Sequence, residues 1–180
     1  MTPVSETDCH RQPKLYWTKL FQLKVGAAYM RRYRDDLAKW ITRFNALRAV
    51  ASSTAIAGWA VVHTYDKIWG SIIAASQVAD AMKDVVPLIK RQKATSELSL
   101  GLAALFIDAQ IEWESIFAGK LTNDEITSRL RKLMKIQHDL EAKHFPNGLP
   151  ERKDLFRLAE AEAILYFKAT FGTEPNREQE

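Results

Sequence analysis

The sequence predicts an all-α chain built from long helices. Three observations carry this. Apolar residues recur at steps of three and four along most of the chain, the period of an amphipathic helix. No stretch shows the clear apolar–polar alternation of a half-buried strand. The 180 residues contain only 7 glycines and 6 prolines, too few for the frequent turns of a sandwich or barrel.

The length suits one domain, and the 47% apolar and 27% charged residues suit a folded one. A single cysteine, Cys9, excludes an internal disulfide framework and a multi-cysteine zinc site. The net charge of +4 is a mild basic bias, not a nucleic-acid signature.

Residues 1–13 hold Pro3 and Pro13 among polar residues and read as a flexible tail without the apolar run of a secretory signal. A single helical domain follows over 14–172. Its first helix, about 14–47, places Leu20, Leu23, Ala27, Met30, Tyr33, Leu37, Trp40, Ile41, Phe44 and Leu47 at helical spacing. Residues 49–65 and 68–79 then form two runs without Asp, Glu, Lys or Arg, joined by the polar turn Thr64–Lys67. They read as an apolar helical hairpin over 47–89, with Pro87 ending or kinking its second arm. A helix over 96–117 carries Leu98, Leu102, Leu105, Phe106, Ala109 and Trp113, and Gly119 stops it. Thr122 and Glu125 have the spacing of a capping box and open a helix over 123–144. Pro146, Asn147, Gly148 and Pro150 mark a loop. The last helix, 151–171, ends at Gly172, and 173–180 is a second polar tail.

The hairpin invites a membrane reading. Its first arm reaches the roughly 17–25 residues that a spanning helix needs. Its second arm does so only with Asp80 inside, and a charge at the bilayer centre costs about 2.5–3.5 kcal/mol on insertion scales. Trp59, Tyr65 and Trp69 cluster at the turn, where a membrane interface favours them. Ten Lys or Arg precede residue 49, and Lys90, Arg91 and Lys93 follow the hairpin. The positive-inside rule then places both termini in the cytoplasm, with the hairpin in the inner membrane. Small residues four apart, such as Thr54 and Gly58 or Gly70 and Ala74, allow close helix approach there. The alternative is a soluble cytoplasmic bundle in which the hairpin is buried core.

Chemistry-bearing residues are sparse. Nothing resembles a phosphate-binding glycine loop, and the chain is expected to be non-enzymatic and to carry no cofactor and no metal. Glu141 and His144 make one Glu-x-x-His step, where a di-iron bundle needs two. His144 otherwise sits where a helix C-terminus favours a cation. Asp108, Glu112 and Glu114 form an acidic group; Asp108 and Glu112 share a face and suit acid–base work, cation binding or pairing with the basic first helix. Cys9 has no activating neighbour in sequence. Gln77, Asp80, Lys83 and Asp84 form a candidate polar stripe, able to line a pore when several copies assemble. Arg31, Arg32 and Arg34, followed at once by Asp35 and Asp36, suit a membrane interface with anionic lipid better than nucleic acid.

From Tyr29 to Arg91 the layout resembles the SLATT-like two-transmembrane proteins of bacteria. The resemblance rests on Tyr29–Leu37, the run Ser52–Trp59, Trp69, Ser76-Gln77-Val78 and Pro87. It implies a pore-forming or membrane-disrupting effector in bacterial conflict such as phage defence. The implied partners are the lipid bilayer, further copies in a homo-oligomer, and a sensor protein encoded nearby. The polar residues around Asp80–Asp84 depart from that pattern. The alternative function is a soluble helical-bundle interaction or scaffold protein.

Overall fold

A computed structural model describes residues 11–61 and 67–172, with side chains over 11–46, Ala49 and 87–172. Four helices occupy these residues: α1 (Arg11–Val61), α2 (Lys67–Phe117), α3 (Asn123–His144) and α4 (Lys153–Phe171). The described residues contain no strand. The all-α class is therefore observed. The residues divide into two compact units, 1–33 with 94–180 and 34–93.

Two features of the helices differ from the sequence expectations. Arg11–Pro13, expected in the tail, already belong to α1. Proline is tolerated in a first turn, where its missing N–H has no partner to lose. Further on, α2 runs through Pro87 without ending. A proline inside a helix costs about 3 kcal/mol or more. Here Leu88 to Ala94 follow with no glycine, second proline or capping residue to redirect the chain, so the helix resumes. The remaining residues of both expected tails, and most of the expected turn Thr64–Lys67, lie outside the described residues.

Within the first unit the helices run alternately up and down. Tyr16 of α1 meets Ala109 and Glu112 of α2, while Gly26 lies opposite Leu102, so the two helices are antiparallel. The same reversal relates α2 to α3. Glu112 meets Arg129, Gly101 faces Leu140, and Glu97 lies 3.4 Å from His144. A β-carbon on Gly101 would stand 3.2 Å from Leu140, so its absence helps α3 lie close. Helix α4 packs antiparallel to α1, with Phe167 beside Trp17 and Phe21 and Phe156 beside Tyr29, and parallel to α2.

The helical spacing seen in the sequence is the spacing of the core. Tyr16, Leu20, Leu23 and Met30 from α1 are fully buried together with Leu98 from α2, and Leu102 is nearly so. Ile126 and Leu133 close the core from α3, and Ala159, Ala163 and Phe167 from α4. Phe167 has ring neighbours on three helices: Trp17 and Phe21, Phe106, and Tyr166 and Phe171. The start of α3 forms as the sequence indicates. The Thr122 hydroxyl accepts from the Glu125 N–H, and the Glu125 carboxylate accepts from the Thr122 N–H. Gly119 and Gly172 adopt positive φ, with Gly172 the left-handed cap of α4.

Less follows for the second unit. Its described side chains include a buried Leu37 and a Trp40 that is 58% exposed, although both fit one apolar spacing. Among the described residues no helix is long and apolar enough to cross a membrane. The two-transmembrane form of the hairpin gains no support here. Ser52, Ser53, Thr54 and Gly58 dilute the first charge-free run, and Asp80, Lys83 and Asp84 follow the second.

Replacing Phe167 by alanine should lower stability by about 3–5 kcal/mol in urea unfolding, the usual range for a buried phenylalanine. Met134→Ala, on the exposed face of α3, should change it by no more than about 0.5 kcal/mol. Thr122→Ala should cost about 1 kcal/mol through loss of the cap.

Candidate functional site

Three groups of polar side chains in the first unit are organised by tertiary contact. The first lies near the point where α1 passes from one unit to the other. Arg31 and Arg32 are consecutive, so they leave α1 about 100° apart, yet both guanidinium groups converge on the Glu162 carboxylate of α4. Each takes one oxygen, Arg32 at 2.9 Å. Lys24 lies two turns earlier, with its ammonium 3.6 Å from the ring centre of Tyr166 and 4.8 Å from that of Phe106. Burial opposes the charge on Glu162, but hydrogen bonds and charge from Arg31 and Arg32 together outweigh it and hold the carboxyl below its usual pKa. Burial pulls Lys24 below the ordinary lysine value, partly countered by Glu162.

Beside this group Tyr29 ties α1 to the loop before α4. Its hydroxyl donates to the Pro150 carbonyl and accepts from the Arg152 N–H at 3.0 Å. Burial raises its pKa. The loop lines a groove of about 830 Å³ together with Phe21, Val25, Gly26, Gln137, Glu141 and Phe156.

The second group is the acidic one on α2. Glu112 accepts from the Tyr16 hydroxyl at 2.9 Å and from Arg129 at 3.2 Å. Burial, then the Glu112 bond and charge, push the Tyr16 phenol far above its ordinary value. Asp108 lines a shallow cleft of about 320 Å³ with Glu112, Arg129 and Lys132. The Asp108–Glu112 pair therefore faces cations of α3, not those of α1 as one sequence reading expected. The third group is at the far end of α3. There Glu141 accepts from Gln137 at 2.6 Å, and His144 pairs with Glu97. The Glu141–His144 step is thus divided between two partners. Among the described residues no three His, Cys, Asp or Glu side chains are grouped to hold a metal.

Of the other sequence candidates, Arg34 pairs with its neighbour Asp35 at 2.8 Å, in the second unit. Gln77, Asp80, Lys83, Asp84, Trp59 and Trp69 belong to helices, but their side chains lie outside the described residues, as does Tyr65 entirely. The proposed stripe and the aromatic cluster are therefore known here only as sequence positions. Sequence reading missed Glu162, Lys24 and the Tyr29–loop contact, because their partners lie far along the chain.

Comparison with protein-family models, curated proteins and solved structures gave no match for this chain.

The Glu162 carboxyl titrates lower in the folded than in the unfolded chain, so its stabilisation is present at neutral pH and lost as pH falls through the folded value. Glu162→Gln should therefore cost about 1 kcal/mol at pH 7, a figure reduced for the half-exposed Arg31. The gap between variant and wild type should shrink as urea midpoints are followed from pH 6 towards pH 3.

Proposed function

We propose that this chain is a non-enzymatic membrane effector, acting in bacterial phage defence, that oligomerises and perturbs the bilayer. The observation that carries the reading is the length of α1 and α2. Each has 51 residues, and the charge-free stretches 49–61 of α1 and 68–79 of α2 both fall within the second unit, 34–93. The helical stretch 34–61 measures about 42 Å at 1.5 Å per residue, against a hydrocarbon core of about 30 Å. Basic residues stand on both sides of the hairpin, as expected of segments held at a cytoplasmic membrane face. The four-helix unit then serves as the cytosolic part, answering to a sensor protein.

Among the described residues no helix is long and apolar enough to cross a membrane, and the proposal is shaped accordingly. A lone hairpin with Gln77, Asp80, Lys83 and Asp84 exposed to lipid would be costly. In an assembly these residues turn towards a water-filled lumen, so insertion is coupled to oligomerisation. The second reading is a helical-bundle interaction or scaffold protein, supported by the packed four-helix core of the first unit.

Dye release from anionic vesicles separates the two. The effector reading expects wild-type chain to release dye, and Asp80→Leu to change the rate several-fold while binding vesicles as before. Unchanged leakage in Asp80→Leu would remove the lumen stripe. No leakage from wild type would leave the scaffold reading.

A further inference from the structure

The groove beside Tyr29 has the size of a small-molecule site. Its volume of about 830 Å³ lies within the roughly 300–1,000 Å³ usual for such sites. Its lining comes from α1, α3, α4 and the loop before α4, all in the first unit. The groove is preformed. Tyr29 is buried in α1, and its hydroxyl holds Pro150 and Arg152 by two hydrogen bonds. An occupant therefore need not order the loop on binding, which removes one of the usual costs of association.

The lining combines apolar surface with uncommitted charge. Phe21, Val25, Leu149 and Phe156 line the groove with Tyr29. Leu149 and Phe156 remain 41 and 50% exposed, so large apolar side chains stay in contact with water there. Six charged side chains also line the groove, three of each sign. Several are already engaged. Arg152 is bound to Asp154 at 2.8 and 3.0 Å, Glu141 accepts from Gln137, and Glu160 has a polar partner. Among the described residues Lys153, Arg157 and Glu151 are left without an ion-pair partner, two cations to one carboxylate. Lys153 and Arg157 stand four apart on α4 and so share one face of the helix.

We propose that this groove binds a single-chain anionic amphiphile, an aliphatic chain ending in a carboxylate or a phosphate monoester. The chain packs against Phe21, Val25, Tyr29, Leu149 and Phe156, and the head group lies between Lys153 and Arg157. Removing the chain and the exposed apolar lining from water supplies the driving force. The two unpaired cations set the sign of the head group, through charge-assisted hydrogen bonds that a neutral head lacks. A cationic head meets like charge instead. The inference goes beyond the effector reading and does not rest on it, because the groove lies wholly within the first unit.

The test is photo-crosslinking of the full chain with a long-chain carboxylate bearing a mid-chain diazirine, mapped by peptide mass spectrometry. It is run in phosphatidylcholine vesicles and repeated with phosphatidylglycerol. Label should fall on the peptides that carry Phe21–Tyr29 and Leu149–Phe156. Excess laurate should displace it, and dodecyltrimethylammonium should not. The exposed pair Lys153→Glu and Arg157→Glu, made together, should lower this labelling about 10-fold and leave helical content and melting unchanged. Three results would overturn the proposal: no label in these peptides, label that both competitors displace equally, or a double variant labelled as wild type is. Suppression by phosphatidylglycerol to the extent seen with laurate would also overturn it, by making a bilayer headgroup the occupant. Label in residues 47–89 that laurate does not displace reports on membrane insertion separately, so the groove and the effector reading can fail independently.

Discussion

The antiparallel seam between α1 and α2 is the contact on which the first unit depends. Tyr16, Leu20, Leu23 and Met30 meet Leu98, Leu102, Leu105 and Ala109 along it, almost wholly out of water. Helices of 22 and 19 residues such as α3 and α4 have little stability alone and need a surface to fold on. The seam supplies one on each side. Helix α3 takes the side of Gly101 and Glu112, and α4 takes the side of Trp17, Phe21 and Phe106. Phe167 inserts among those rings and joins three helices at one point. The Arg31–Arg32–Glu162 fork and the Tyr29 tie then fix α4 and its loop against α1. They are secondary to the seam, because an ion pair near the surface contributes little beside the burial of several large side chains.

Much of the fold was legible because helical burial is periodic. The steps of Leu20, Leu23, Met30 and of Leu98, Leu102, Leu105 in the sequence are the steps of the core. Local signals also held, since a capping box and a glycine stop need only neighbouring residues. Thr122, Glu125 and Gly172 therefore do what their spacing indicates. Of the two outcomes expected at Pro87, an end to the helix does not occur, because helix continuation depends on the residues that follow a proline as well as on its local cost. Trp40 shows the converse limit. Periodicity assigns a face but not whether anything covers it.

The site was less legible for a topological reason. The partners of Arg31, Tyr29 and Tyr16 lie 131, 121 and 96 residues away. Charge clusters in a sequence show where charges are, not which opposite charges the fold brings to them. Arg31 and Arg32 looked like a lipid-facing pair, and the fold gives both a carboxylate. Asp108, Glu112 and Glu114 looked like one acidic group. The fold keeps Asp108 and Glu112 in one cleft with Arg129 and Lys132, and binds Glu112 to Tyr16 as well. An exposed apolar row on α2 was hidden for the same reason. Leu100, Ile107 and Ile111 fit an amphipathic pattern as well as the core residues do, and only packing distinguishes the covered face from the uncovered one.

The central proposal is that the charge-poor runs of the hairpin enter a membrane. The measurement that tests this most directly is fractionation of cells expressing the full chain, followed by an alkaline carbonate wash of the membranes. The account predicts that the chain stays in the washed pellet and needs detergent for release. Release into the supernatant would contradict it, and residues 47–89 would then be packed against protein, not lipid.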